Sequence, residues 1–290
     1  KLKDKVSIVT GAASGMGKAT AKKFSEEGSK VVLADLDEKG GQQVVEEINE
    51  LGGSAVTSYN SVTDTVDAGK IIEKAINTFG RLDIVVTVAG ILRDRMIFNM
   101  SEEEWDQVMD VHLNGTYNVV RAASPIFKKQ GSGRIITFSS VSGLYGYAGQ
   151  ANYGAAKEAI AGFTRSISED MSVYGVTANI ISPGAQTRMT DSIPEAAGNL
   201  RKGLFGYPPG WSPRNKPEDV APMIVWLSSD EASGVTGQIF HCVGNTVSLM
   251  NTPKSTRVIT KHGRWSIEEI SGIFEETLGM DVINPAPPND

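Results

Sequence analysis

The feature that most narrows what this chain can fold into is a glycine-rich turn set between a strand and a helix. Lys5-Val-Ser-Ile-Val-Thr10 is an apolar, β-branched run; T-G-A-A-S-G-M-G, from Thr10 to Gly17, follows it and leads into a helical segment ending near Gly28. In that setting the backbone N–H groups of the turn can approach a pyrophosphate, and the helix N-terminus adds partial positive charge. Gly11, Ser14, Gly15, Met16 and Gly17 are therefore the candidate cradle. The next strand, residues 31–34, ends at Asp35, eighteen residues beyond Gly17. A carboxylate there accepts hydrogen bonds from both hydroxyls of an adenosine ribose and repels a 2′-phosphate, so NAD is expected rather than NADP. The other reading of Asp35 is a helix cap, but Asp37 is better placed for that.

Alternation continues down the chain. Strands at 54–59, 82–88, 134–138, 176–181 and 237–243 are separated by a helix at about 38–51, one at about 65–79, more than one helix within 101–129, one carrying Tyr153, and one near 217–228. Ser101-Glu-Glu-Glu104 is a capping box. The pattern predicts an α/β protein: a Rossmann-type, doubly wound, mainly parallel seven-stranded sheet with helices on both faces and right-handed crossovers. Ligands of such sheets bind beyond the carboxyl ends of the strands, where Gly11, Asp35, Gly90, Ser140 and Pro183 all fall. Residues 1–247 form the expected catalytic domain, with no internal repeat or low-complexity block. Within it, 190–216 is long, rich in Pro and Gly, and carries Phe205, Tyr207 and Trp211; a substrate lid is expected, against ordinary surface packing. Residues 248–290 form a C-terminal extension. There Ser266-Ile-Glu-Glu269 is a second capping box, and Ile267, Ile270, Phe274 and Leu278 make an apolar stripe that needs its own domain or a neighbouring subunit. The chain from Asn284 onward reads as a free polar end.

Composition excludes several classes. A net charge of -6 disfavours nucleic acid and anionic membrane as partners, and no apolar run is long enough to span a bilayer. The single cysteine, Cys242, rules out an internal disulfide and a multi-cysteine metal site, so no metal is expected; among apolar neighbours it reads as core. No signal peptide precedes the first strand, although the chain starts at Lys1 without Met, and a cytoplasmic protein is the expectation.

The chemistry concentrates between Ser139 and Lys157, S-S-V-S-G-L-Y-G-Y-A-G-Q-A-N-Y-G-A-A-K. Tyr153 and Lys157 lie one turn apart on one face of a helix, and Ser140 must fold back toward them. A phenol is a poor base at neutral pH, and a neighbouring ammonium favours its phenolate. Lowering the phenol pKa by about three units takes roughly 4 kcal/mol, within reach of a close cation helped by a cationic cofactor ring.

Together, T-G-x-x-x-G-x-G at Thr10 to Gly17, Asp35, Ala89-Gly90, Ser140, Tyr153-x-x-x-Lys157 and Pro183-Gly184 resemble the short-chain dehydrogenase/reductase family over about residues 3–247. The resemblance implies that Tyr153 is the general acid/base, that Ser140 hydrogen-bonds the substrate oxygen, and that Lys157 holds the nicotinamide ribose and lowers the tyrosine pKa. It also implies cofactor contacts at Ser61, Val62, Ala89, Gly90, Pro183, Gly184 and Thr187, and a substrate contact at Tyr145. Three positions depart from the family pattern: Thr87-Val-Ala-Gly90 where N-N-A-G is usual, Ser61 for an Asp, and His112 for the Asn of V-N-L-x-G. Asn114, two residues on, is expected to face away, leaving His112 as a relay member or a structural histidine. Within the family the chain is most similar to the hydroxyacyl-CoA dehydrogenases of the multifunctional enzyme type 2 and 17β-hydroxysteroid dehydrogenase type 4 kind. That implies a secondary alcohol or ketone substrate, with 3-hydroxyacyl-CoA first and steroid, aromatic or alicyclic alcohols next. It also implies a homodimer or homotetramer. A non-catalytic NAD-binding role is the remaining alternative. The tail basics Lys254, Arg257, Lys261 and Arg264 are candidates for CoA phosphates or for a solvated face.

Overall fold

The computed structural model describes residues 1–185 and 215–282. Thr187, Phe205, Tyr207 and Trp211, the expected lid except Asn215 and Lys216, and the chain from Asn284 lie outside the described residues.

Eight strands form one sheet: β1 Val6–Thr10, β2 Lys30–Ala34, β3 Ser54–Ser58, β4 Ile84–Thr87, β5 Gly133–Phe138, β6 Val176–Gly184, β7 Ile239–Val243 and β8 Thr246–Met250. Their spatial order is β3-β2-β1-β4-β5-β6-β7-β8, parallel throughout except for the final pair. Strands β1, β4 and β5 are buried along their whole length, as expected for continuous apolar runs covered on both faces. Helices α1 Gly15–Glu26, α2 Glu38–Glu50 and α8 Ala221–Ser228 cover one face, placing Phe24, Val44, Ile48 and Ile224 in its core. Helices α3 Thr65–Phe79 and α5 Gly115–Gln130 cover the other with Ile71, Ile72, Val119 and Phe127. Cys242 belongs to the first core, where burial pushes its thiol up to about 12.

The order reverses between β1 and β4, so the connections leave in opposite directions there and open a crevice at the carboxyl ends. Side-chain caps fix the entry of the flanking helices. Asp37 accepts from the Gly40 N–H at α2, Asp64 from those of Val66 and Asp67 at α3, and Ser101 forms the expected capping box with Glu104 at α4, Glu102–Met109.

Three features correct or sharpen the expected pattern. The sheet has eight strands rather than seven, because β7 turns through Gly244-Asn245 into β8. Gly244 has φ of +53°, a left-handed conformation that suits a two-residue hairpin. β8 is an uncovered edge strand with Val247 and Leu249 exposed, so it lacks the apolar run that marks its neighbours. It spans the boundary expected at 247. Second, the helices read at 101–129 are α4 and α5, and they are joined without a break by a π-helical turn at Asp110–Asn114, one residue wider than an α-turn. Third, α9, Ile267–Ile273, starts at the expected Ser266 box but leaves Ile267, Ile270 and Phe274 exposed rather than docked on its own sheet. Among the described residues no helix is long and apolar enough to cross a membrane.

Candidate active site

The crevice is a cleft of about 330 Å³ lined by Gly11, Ser14, Gly15, Met16, Gly17, Asp35, Ser61, Val62, Ala89 and Gly90, all expected cofactor positions. Its floor is glycine for a steric reason. A Cβ on Gly17 would lie 2.0 Å from the Gly11 carbonyl oxygen, and Gly11 holds φ of +65° with its N–H on the Ala34 carbonyl at 2.8 Å. The N-cap of α1 is Ser14, whose side chain makes no capping bond, unlike the caps of α2, α3 and α4. The first-turn N–H groups of α1 therefore face the cleft without a side-chain acceptor, which fits a diphosphate.

Asp35 closes the far end. Its carboxylate accepts from the Ala13 N–H at 2.9 Å and the Asp37 N–H at 3.0 Å, so backbone donors orient it while Asp37 does the capping. The opposite wall, at Ser61 and Val62, is braced by Asn118, whose amide donates to the carbonyls of Val62 and Thr63. Where the family pattern has Asn at the end of β4, the Thr10 hydroxyl accepts from the N–H groups of Val88 and Ala89, each at 3.1 Å. Thr10 and Asn118 act through contacts 78 and 56 residues away in sequence, which local pattern does not reveal.

The second half of the site is a cluster of buried polar side chains. Ser140 lies two residues beyond β5 and caps α6, Val141–Tyr145; its Oγ accepts from the Ser142 N–H at 3.1 Å. The loop folds back as expected onto α7, Ala151–Ser172: the Ser139 hydroxyl donates to the Lys157 carbonyl at 2.9 Å, and Lys157 Nζ donates to the Phe138 carbonyl at 2.8 Å. Lys157 Nζ lies 5.5 Å from the centre of the Tyr153 ring. Complete burial pushes the ammonium down to about 7, because the charged form has lost its water.

His112 joins the two halves. It projects inward from the π-turn, its ring edge-on to Tyr153 at 5.1 Å between centres, and a Cβ on Gly90 would lie 2.2 Å from its Cε1. Nε2 lies 3.0 Å from the Ile91 N–H nitrogen and 2.8 Å from the Ile91 carbonyl oxygen, while buried Nδ1 has no hydrogen-bond partner among the described residues. Burial first, then the charge of Lys157, holds its pKa well below the usual histidine range, so the imidazole is neutral. Asn114 is exposed, bonded to Asp110, and faces away.

A family model described as enoyl-(acyl carrier protein) reductase matches residues 11–244. The chain belongs to the short-chain dehydrogenase/reductase family. It is 38% identical to the 3-oxoacyl-[acyl-carrier-protein] reductase FabG of Thermotoga maritima, over 85% of this chain and 99% of that protein. It is 36% identical to the hydroxyacyl-CoA dehydrogenase ChsB1 of Mycobacterium tuberculosis, over 95% of this chain and 89% of the other. The crystal structure of a short chain dehydrogenase from Mycobacterium avium superposes with a TM-score of 0.83 at 37% identity, covering 99% of this chain and 98% of its own. Against the longer peroxisomal multifunctional enzyme type 2 of Drosophila melanogaster the chain spans 40% of the relative's length. The protein is thus an oxidoreductase of a family whose members use a nicotinamide cofactor.

For a member of this family, Pro183 and Gly184 sit where expected, at the end of β6 beside Cys242 and Val243, though outside the cleft lining. Tyr145 is the partly buried last residue of α6. In the tail, Arg257 pairs with Asp281 and Lys261 with Glu269, so two of the four basic candidates are engaged within the extension. The strongest connections missed by sequence are made by Gln150 and Asn152. Asn152 is fully buried and donates to the carbonyls of Arg93 and Glu104, lacing α7 to the loop after β4 and to α4.

Proposed function

We propose that the protein is an NAD-dependent dehydrogenase of secondary alcohols, with 3-hydroxyacyl-CoA thioesters as its substrate class. One observation carries the reading: Lys157 is buried beside Tyr153, Ser140 is buried at the start of α6 where its neighbour Ser139 bonds to Lys157, and His112 bridges that cluster to a cleft ending at Asp35. In the oxidation direction Tyr153 removes the hydroxyl proton while the Ser140 O–H donates to the same oxygen and holds it in place. Bound in the cleft, the nicotinamide supplies the acceptor for the carbinol hydride. Lys157 stabilises the phenolate, and the phenolate in turn offsets the burial that depresses the lysine, so the pair shares one charge problem. His112 serves the proton path. Nε2 can donate to the Ile91 carbonyl or accept its N–H, so Nδ1 can face the site bare or protonated in a neutral ring.

NAD preference rests on the oriented Asp35 carboxylate and on Ser14 rather than a basic residue before Gly15. The thioester class is supported by relatives named for hydroxyacyl-CoA and acyl-carrier substrates. A homodimer or homotetramer in the cytoplasm completes the reading, with exposed Ile267, Ile270 and Phe274 as apolar surface for assembly.

The test is nicotinamide reduction across 3-hydroxyacyl-CoA thioesters of several chain lengths, the matching free acids, and steroid, aromatic and alicyclic alcohols, each with NAD and NADP. Thioesters are expected to lead, with NAD ahead by about tenfold or more, equivalent to about 1.4 kcal/mol. A free alcohol that outruns every thioester overturns the substrate class, and NADP preference overturns the cofactor assignment.

A further inference from the structure

Beside the reacting cluster runs a line of buried polar contacts that the reaction as written does not use. Residues 91–96 follow β4 as a strap across the loop that precedes α7. The Arg95 N–H donates to the Gly149 carbonyl at 2.8 Å, and Arg95 pairs with Gln150 as an isolated bridge. Gln150, only 3% exposed, donates through Nε2 to both carboxylate oxygens of Asp94 at 3.0 Å. Its Oε1 accepts from the Ser142 hydroxyl at 2.7 Å, and the Ser142 N–H donates to Ser140 Oγ at 3.1 Å.

We propose that Asp94, Gln150 and Ser142 form a directional chain that positions the Ser140 hydroxyl for the substrate oxygen. The inference rests on the role given to Ser140 above.

The direction is set at the charged end. An ionised carboxylate accepts only, so the Gln150 amide must turn its NH₂ to Asp94 and its carbonyl to Ser142. Ser142 then has to donate its hydroxyl proton to Gln150, which fixes the start of α6 and aims the Ser142 N–H at Ser140. With an acceptor site of Ser140 Oγ filled in this way, its own proton is left to donate elsewhere, and the substrate oxygen is the acceptor that the proposed reaction supplies. Simple capping of a five-residue helix does not require a buried amide bonded twice to a carboxylate 56 residues away. Burying that amide is costly unless both of its ends are satisfied, and the charge-assisted contact with Asp94 offsets the cost. The strap thereby carries a positioning group for the reaction, with Gln150 and Asp94 as positioning residues that touch no reacting atom.

The test measures kcat, KM and melting temperature of the full chain, with acetoacetyl-CoA and NADH, or with the best alcohol of the panel and NAD if the thioester is not turned over. Gln150→Glu sets two carboxylates against each other and is expected to lower kcat about tenfold, with KM for the cofactor within about twofold. In the D94N/Q150E double variant an amide at 94 donates to the carboxylate at 150, which still accepts from Ser142. Recovery of kcat to within about threefold of the wild type is expected. Asp94→Ala, on the partly exposed strap, gives a reading even where Gln150→Glu does not fold, with an expected fall of about fivefold in kcat. Wild-type kcat in folded Asp94→Ala, or a double variant no faster than folded Gln150→Glu, overturns the chain. Ser140→Ala run in parallel separates the failures: if it keeps wild-type turnover, the proposed reaction fails; if it falls while Asp94→Ala does not, only the positioning chain fails.

Discussion

The two halves of the site are built from different material. The cofactor cleft is mostly backbone: glycines that admit no side chain, an α1 terminus with no side-chain cap, and one carboxylate held by two N–H groups. The reacting half is mostly side chain: Ser140, Lys157, His112, Gln150 and Asn152 are all buried polar groups held by specific partners. Backbone recognition tolerates many side chains around it but no Cβ within it. Side-chain recognition tolerates changes of shape poorly, because each removed partner leaves another group buried and unsatisfied.

The largest test of this division is Tyr153→Phe. It deletes one oxygen from the reacting half and should lower kcat by about 10²–10⁴-fold while NAD binding, followed by quenching of protein fluorescence, stays at the wild-type level. Wild-type turnover would sink the assignment of Tyr153. On the cleft side, Asp35→Ala should leave kcat with NAD largely intact and shift the ratio of kcat/KM for NAD over NADP by about tenfold toward NADP. A fall in kcat alone, with the ratio unchanged, would show that the halves are not separable there.

The smallest effect is on stability. In the fold Lys157 gives up its proton at about 7, whereas an unfolded lysine keeps it to about 10.5. Between those values the unfolded chain binds more protons, so the cofactor-free protein should gain stability as pH rises from about 7 and lose it again on return. Lys157→Met should flatten that part of the melting temperature against pH profile and raise the melting temperature at pH 7, although it abolishes turnover. An unchanged slope would mean that Lys157 is solvated rather than buried.

The same division explains how much of the molecule could be read in advance. The cleft was legible because its requirements are local: Gly11 and Gly17 follow a strand and open a helix, and Asp35 and Asp37 divide two jobs between neighbouring positions. The alternation of strands and helices was legible for the same reason, since runs such as β4 and β5 are apolar throughout. Ser140, Tyr153 and Lys157 stood out through their spacing together. What could not be read depends on distant contacts or on the absence of burial. Gln150 meets Asp94 across 56 residues, and neither carries a periodic or compositional mark. β8 escaped notice because its exposed Val247 and Leu249 make it look like tail. The Asp110–Asn114 turn escaped because π-helical hydrogen bonding leaves the apolar pattern of α4 and α5 nearly unbroken on either side.

That wide turn has a consequence for how this site can vary. One residue of helix corresponds to about 100° of rotation. The inserted residue therefore works as a phase shifter: it turns His112 under Gly90 while α5 keeps Val119 and Phe127 in the core and Asn118 on the cleft wall. Shortening residues 110–114 by one is expected to restore regular α-helical bonding and to change the direction in which the imidazole is presented, although the histidine itself is kept. The identity of residue 112 and the phase of the helix that presents it are two separate settings of the same instrument.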